Sequence, residues 1–115
     1  MQLSEIIHSL QLDELCGVEL SADVEVQSAY VSDMLSEVMA HAPRGCLWIT
    51  HQNNENVVAI GYFKELAAIL LPRGGRMEEE VLEKAKAKKI AVLSSADSAF
   101  KLAGRLYALG LSEPH

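Results

Sequence analysis

A chain of 115 residues, half of them hydrophobic and with a mean hydropathy of +0.11, has the length of one domain and more apolar material than so short a chain easily hides. The net charge of −6, the pI of about 5.1 and the lack of a basic run argue against nucleic acid or an anionic membrane as the main partner. No apolar stretch approaches the ~20 residues that span a bilayer, and the opening "MQLSEIIHSLQL" lacks the basic start of a signal peptide, so a cytoplasmic protein is expected.

The predicted elements alternate in type. A short helix over 3–10 and a turn fill residues 1–20, and an α/β core follows over 21–111, both within a single domain spanning 1–115. "VEVQSAYV" (24–31) is mixed and reads as a strand near an edge. In "SDMLSEVMAHA" (32–42), Leu35, Val38, Met39 and Ala42 fall at helical spacing, with Ser32 or Asp33 as cap. "CLWIT" (46–50), "LAAILL" (66–71) and "IAVL" (90–93) are continuous apolar runs, as expected of parallel strands covered on both faces. Between them lie a short helix near 54–63 and a longer one over 77–89. The latter opens on Glu78, Glu79 and Glu80 and closes on Lys84, Lys86, Lys88 and Lys89, matching the helix dipole. The last helix, 95–110, takes Ser95 as its cap and Gly110 as its stop. The pattern predicts a three-layer α/β/α fold with a mostly parallel central sheet.

In such sheets ligands bind beyond the C-terminal ends of the strands, where four polar loops are expected. In loop 72–76, Arg73 and Gly74 open two readings: an anion cradle of backbone amides and arginines, or an ordinary turn. The sequence has neither a P-loop nor a dinucleotide fingerprint, and the glutamates that follow weigh toward the turn. Loop 50–54 carries His51, Gln52 and Asn53, which can hydrogen-bond a base or sugar or form a solvated turn with Asn53 or Asn54 capping the next helix. Ser94 and Ser95 with Asp97 offer hydroxyls beside a carboxylate, or a helix cap. Tyr30 and Ser32 with Asp33 offer the same choice at the first strand's end. Together, Tyr30, Ser32, His51, Gln52, Asn53, Arg73, Gly74, Ser94 and Ser95 form the candidate ligand site. His8, His41, His51 and His115 show no metal-binding spacing, nor do Cys16 and Cys46. Cys46 reads as a buried hydrophobe. No metal, no cofactor and no catalytic set are expected.

Taken together, "YVSDMLSEVMA", "LWIT" and "AGRLYALGL", in this order and spacing, resemble the DRTGG domain family from about Leu3 to Leu111, with "LSEIIHSLQLDELCG" as its opening helix. The resemblance implies the fold of the N-terminal domain of HPr kinase/phosphorylase, and a regulatory or ligand-sensing role. Similar domains occur in phosphotransacetylases and beside CBS domains, and stand-alone members occur near hydrogenase or electron-transfer genes. The catalytic P-loop domain of HPr kinase is not in this sequence, so its kinase activity is not carried over. The motif that names the family falls over residues 23–29, where Asp23 alone matches. Val24, Gln27, Ser28 and Ala29 replace the arginine, threonine and glycines, which puts any ligand contact of that motif in doubt.

The expectation is a non-catalytic regulatory module that binds a nucleotide-like or other anionic metabolite, or a partner enzyme. The alternative is an assembly domain without a small ligand. A homodimer is also expected, through the C-terminal helix. That helix carries two apolar stripes: Ala96, Ala99, Phe100, Ala103 and Tyr107 on one, and Leu102, Leu106 and Leu109 on the other, the latter taken as the interface.

Overall fold

The computed structural model describes residues 1–17 and 24–114. Its elements run α1 (Leu3–Leu10), β1 (Asp13–Cys16), β2 (Ser28–Val31), α2 (Leu35–His41), β3 (Cys46–Ile49), α3 (Glu55–Phe63), β4 (Ala68–Leu71), α4 (Glu79–Ala87), β5 (Val92–Ser94) and α5 (Ala99–Leu109). The sheet has five strands in the order β1-β5-β4-β3-β2, parallel from β2 through β5, with β1 antiparallel at the edge beside β5.

Strands β2 to β5 are laid down in sequence order without a reversal. Crossovers of one hand that always step the same way put their helices on one face, so α2, α3 and α4 share a face. The other face has to be covered by α1 and α5. The two cores record this division. Leu47, Ile49, Ala68, Leu70 and Leu93 pack with Leu3, Ile6, Leu10, Leu102 and Leu106. Their alternating neighbours Cys46, Trp48, Ile69, Leu71 and Val92 pack with Val38, Val57, Val58 and Ala85. Every residue of β3 and β4 is buried, which is why these strands read as unbroken apolar runs. Burial also pushes the Cys46 thiol up to about 12, so it stays protonated and inert.

Three local expectations need correction. Residues 1–20 hold more than a helix and a turn: Asp13–Cys16 pairs with β5 as an antiparallel strand. Its sequence, DELC, has no apolar run, because an edge strand with Asp13 and Glu14 in water needs none and is guarded by their charges. The second strand begins at Ser28, and Val24 to Val26 instead bond to the N-terminus, through Leu3 N to Val24 O (2.9 Å) and Val26 N to Met1 O (2.8 Å). The cap of α5 is Ser98, which accepts from Lys101 N at 3.1 Å; Ser95 Oγ accepts from Asp97 N inside the loop. Gly110 does end α5, at φ 109°. Of the altered family motif, Asp23 lies outside the described residues.

The C-terminal helix brings the largest correction. Leu102 and Leu106 are 0% and 1% exposed and belong to the chain's own core. They cannot form a subunit interface. The sheet claims this stripe because leucines reach into the gap between α1, β3 and β4, whereas the other stripe carries the bulky Phe100 and Tyr107.

Candidate functional site

The loops that follow β2, β3, β4 and β5 do meet at one end of the sheet, and much of their polarity is spent on each other. Asp33, expected as a helix cap, is instead the hub of the β2 and β3 loops. One of its oxygens accepts from Thr50 Oγ1 at 2.9 Å and from His51 N at 2.6 Å, and the other lies 2.9 Å from His51 Nδ1. Desolvation of Asp33 acts to raise its pKa, but the bonds from the His51 amide, the imidazole and the Thr50 hydroxyl together outweigh it and hold the carboxyl below its usual value. Bonded at Nδ1, the half-exposed imidazole is fixed in orientation and offers Nε2 to whatever enters. Gln52 Nε2 donates to Asp33 O at 3.2 Å, and Trp48 Nε1 to Ser32 O at 2.8 Å, so the buried indole of β3 holds the end of β2. Ser32 Oγ accepts from the amide of Met34, the N-cap residue of α2. Tyr30 donates to Glu37 at 2.9 Å; partial burial and the acceptor carboxylate raise its pKa, so it stays a neutral phenol.

The folded-state pKa of Asp33 is lowered, so its contribution is present above the unfolded value near 3.8 and lost as pH falls through the folded value. Asp33→Asn is therefore expected to lower Tm at neutral pH by about 4 °C, from on the order of 1 kcal/mol after discounting for exposure. The gap closes at low pH, and calorimetry at pH 7 and pH 3 checks it. A gap that persisted unchanged in acid would mean the carboxylate's charge is not what holds the loops.

Loop 72–76 is a turn. Arg73 and Gly74 have φ of 54° and 67°, and Gly75 N closes on Pro72 O at 3.1 Å, the pattern of a type I′ turn. The amide of Arg73 donates to Asp97 O at 2.8 Å and that of Gly74 to Ser95 O at 2.6 Å. Three amides that would have cradled an anion are thus spent on the protein, and the cradle reading falls. Ser94 is also withdrawn: it is fully buried and donates to Gly75 O at 2.7 Å. Ser95 is buried in the same turn, and Asp97 is held below the usual carboxylate range by its Arg105 partner at 2.7 Å. Arg73 and Arg76 are both exposed; Arg76 lies 3.7 Å from Asp13, whereas the Arg73 guanidinium makes no ion pair among the described residues.

A ligand crevice in an open parallel sheet forms where the strand order reverses and neighbouring crossovers part to opposite faces. Strands β2 to β5 never reverse, so their ends stay closed. The concavity at this end lies to one side, between the N-termini of α3 and α4: about 520 Å³ lined by Asn53, Asn54, Arg76, Met77, Glu78 and Val81 among others. Asn53 reaches across it to donate to Arg76 O at 2.7 Å, and Asn54 caps α3. Sequence reasoning named Asn53 and weighed Arg76 only as part of loop 72–76, and it missed Met77 and Glu78, since nothing in a linear pattern links two helix starts more than twenty residues apart. A second hollow of about 630 Å³ lies between β1 and α4, lined by Leu15, Gly17, Glu79, Leu82 and Lys86 among others. Among the described residues no cluster of His, Cys, Asp and Glu could hold a metal ion, and no helix is long and apolar enough to cross a membrane.

No curated protein matches the chain. Among solved structures, its fold is similar to the CBS and DRTGG domains of the regulatory region of a Clostridium perfringens pyrophosphatase, crystallised with the activator diadenosine tetraphosphate. The TM-score is 0.68 at 16% identity, over 96% of this chain and 47% of that one, so this chain spans about half its length. The DRTGG domain pattern itself matches residues 5–109, nearly the whole sequence, and the chain belongs to the DRTGG domain family.

Proposed function

We propose that this chain is a non-catalytic regulatory module that binds a nucleotide-like metabolite at the C-terminal end of its sheet and acts, as a homodimer, on a partner enzyme. One observation carries the reading: the same fold, over 96% of this chain, forms part of a regulatory region that takes a dinucleotide activator. The residues left available in this chain fit it. His51 presents Nε2, Gln52 stands beside it with its amide nitrogen bonded to Asp33 O, Asn53 lines the 520 Å³ concavity with its amide nitrogen bonded to Arg76 O, and Arg73 makes no ion pair among the described residues. The concavity carries Glu55, Glu78 and Glu80, while its cations Arg76 and Lys84 are paired with Asp13 and Glu55, so it suits the uncharged sugar and base, and the phosphates belong with Arg73. Tyr30 and Ser32 border the site through the Asp33 loop. The hydroxyl bonded to Asp33, that of Thr50, is buried and out of a ligand's reach, which supports a binding role. The implied association with electron-transfer systems names one place to seek the partner enzyme.

Thermal-shift titration with diadenosine tetraphosphate, ATP and AMP tests this. A ligand at ~100 times its dissociation constant adds roughly 2.7 kcal/mol, and the shift is expected to shrink in His51→Ala and Arg73→Ala. No shift with any nucleotide would leave the second reading, an assembly domain without a small ligand. The observation favouring that one is the exposure of Phe100 and Tyr107, 89% and 74%.

A further inference from the structure

Helix α5 turns one face to the sheet and leaves the other without a cover. Along the outer face lie Phe100, Lys101, Gly104, Tyr107 and Ala108, all exposed. Lys101 is the single charge among them. Gly104 sits in mid-helix, where glycine is disfavoured against alanine, and nothing among the described residues demands it: a Cβ built there meets none of their atoms within 4 Å, and its φ is not positive. A glycine that costs helix stability and answers no contact among the described residues invites a contact from outside.

We propose that this face is the contact surface of a homodimer, two copies of α5 crossing antiparallel with Gly104 on the two-fold axis. This rests on the dimer reading above and supplies its surface. With a two-fold axis at Gly104 the same flank of each helix meets: at about 100° per residue Phe100 and Tyr107 fall to one side of Gly104, Lys101 and Ala108 to the other. Phe100 then lies against the partner's Tyr107, ring beside ring. The Lys101 stem lies along the partner's Ala108, with its ammonium in water. Gly104 meets the partner's Gly104, where the missing side chains let the helices approach closely. The two-fold arrangement doubles each contact, as an isologous interface must. Lys101 is free to turn, since its bond to Asp97 is a surface pair at 3.6 Å with the lysine 65% exposed. The area suffices: aromatic side chains bury ~150–250 Å² each, so two from each subunit give roughly 600–1,000 Å² before the backbone and the Lys101 stem are counted, against about 1,000 Å² for a specific interface.

Light scattering on the full chain is expected to give twice the 12.6 kDa chain mass. Phe100→Glu/Tyr107→Glu and, separately, Gly104→Leu should each weaken association at least tenfold with the far-UV spectrum and urea midpoint retained. Gly104→Cys, at the axis, should form a covalent dimer on mild oxidation, while Glu83→Cys should not. A wild-type monomer at every soluble concentration would overturn both the dimer and this surface, leaving ligand binding to its own titration. A dimer that survives both interface variants, or a Gly104→Cys chain that fails to cross-link, would overturn the surface and leave the dimer standing.

Discussion

Leu102→Glu is expected to unfold the protein, with loss of the near-UV spectrum and of cooperative urea unfolding. Leu102 is fully buried in the core formed by Leu3, Ile6, Leu47 and Leu70. Replacing it forfeits ~1.5–3 kcal/mol of apolar burial and places an unpaired carboxylate among apolar atoms, at an effective penalty of several kcal/mol more. The sum is comparable with the ~5–15 kcal/mol that holds a domain folded. Leu102→Ala, which introduces no charge, should cost about 2–5 kcal/mol and leave a measurable transition at lower urea. A folded, monomeric Leu102→Glu would mean the leucine stripe faces a second subunit after all. Phe100→Glu, one turn outside the core, makes the contrast, since little of its ring is buried in the single chain.

The other large effect is expected at Trp48. It is the chain's sole tryptophan and heads the fully buried side chains. Trp48→Ala removes most of the packing between β3 and α2–α3, for about 3–5 kcal/mol. It also leaves Ser32 O without its indole donor, and with it the end of β2 that leads into Asp33. Trp48→Phe keeps a ring and is expected to cost less than half as much. Urea unfolding followed by circular dichroism measures both. Equal losses in the two variants would show that the hydrogen bond, and not the ring volume, is what matters there.

The parts of this architecture that were legible in the sequence are those with one dominant physical cause. "CLWIT" and "LAAILL" had to be strands buried on both faces, and Gly110 had to end a helix. Elements that rest on a choice among equals were not legible. Ser94, Ser95 and Ser98 are chemically alike, and the geometry of the turn at Arg73 and Gly74 decides which one caps α5. Both stripes of α5 are apolar, so periodicity finds them without saying which one the sheet takes. Asp33 was noticed as a cap because a cap is local; its bonds to Thr50 and His51 cross from one loop to another and leave no trace in spacing. Amides already spent within the fold, as in loop 72–76, are invisible to any reading of residue types.

The antiparallel edge strand also bears on how the chain is made. Helix α1 and strand β1 are made before the rest of this domain, yet their neighbours β5 and α5 are made after its other strands: Cys16 bonds to Ile90 across 74 positions, and Arg105 to Ser9 across 96. At ~5–20 residues per second of synthesis, the opening segment waits several seconds with Leu3, Ile6 and Leu10 exposed, while β2 to β4 and their helices can already assemble. Strands β2 to β4 are the natural seed of folding, and α1 and β1, though made before them, are among the last elements of the domain to dock.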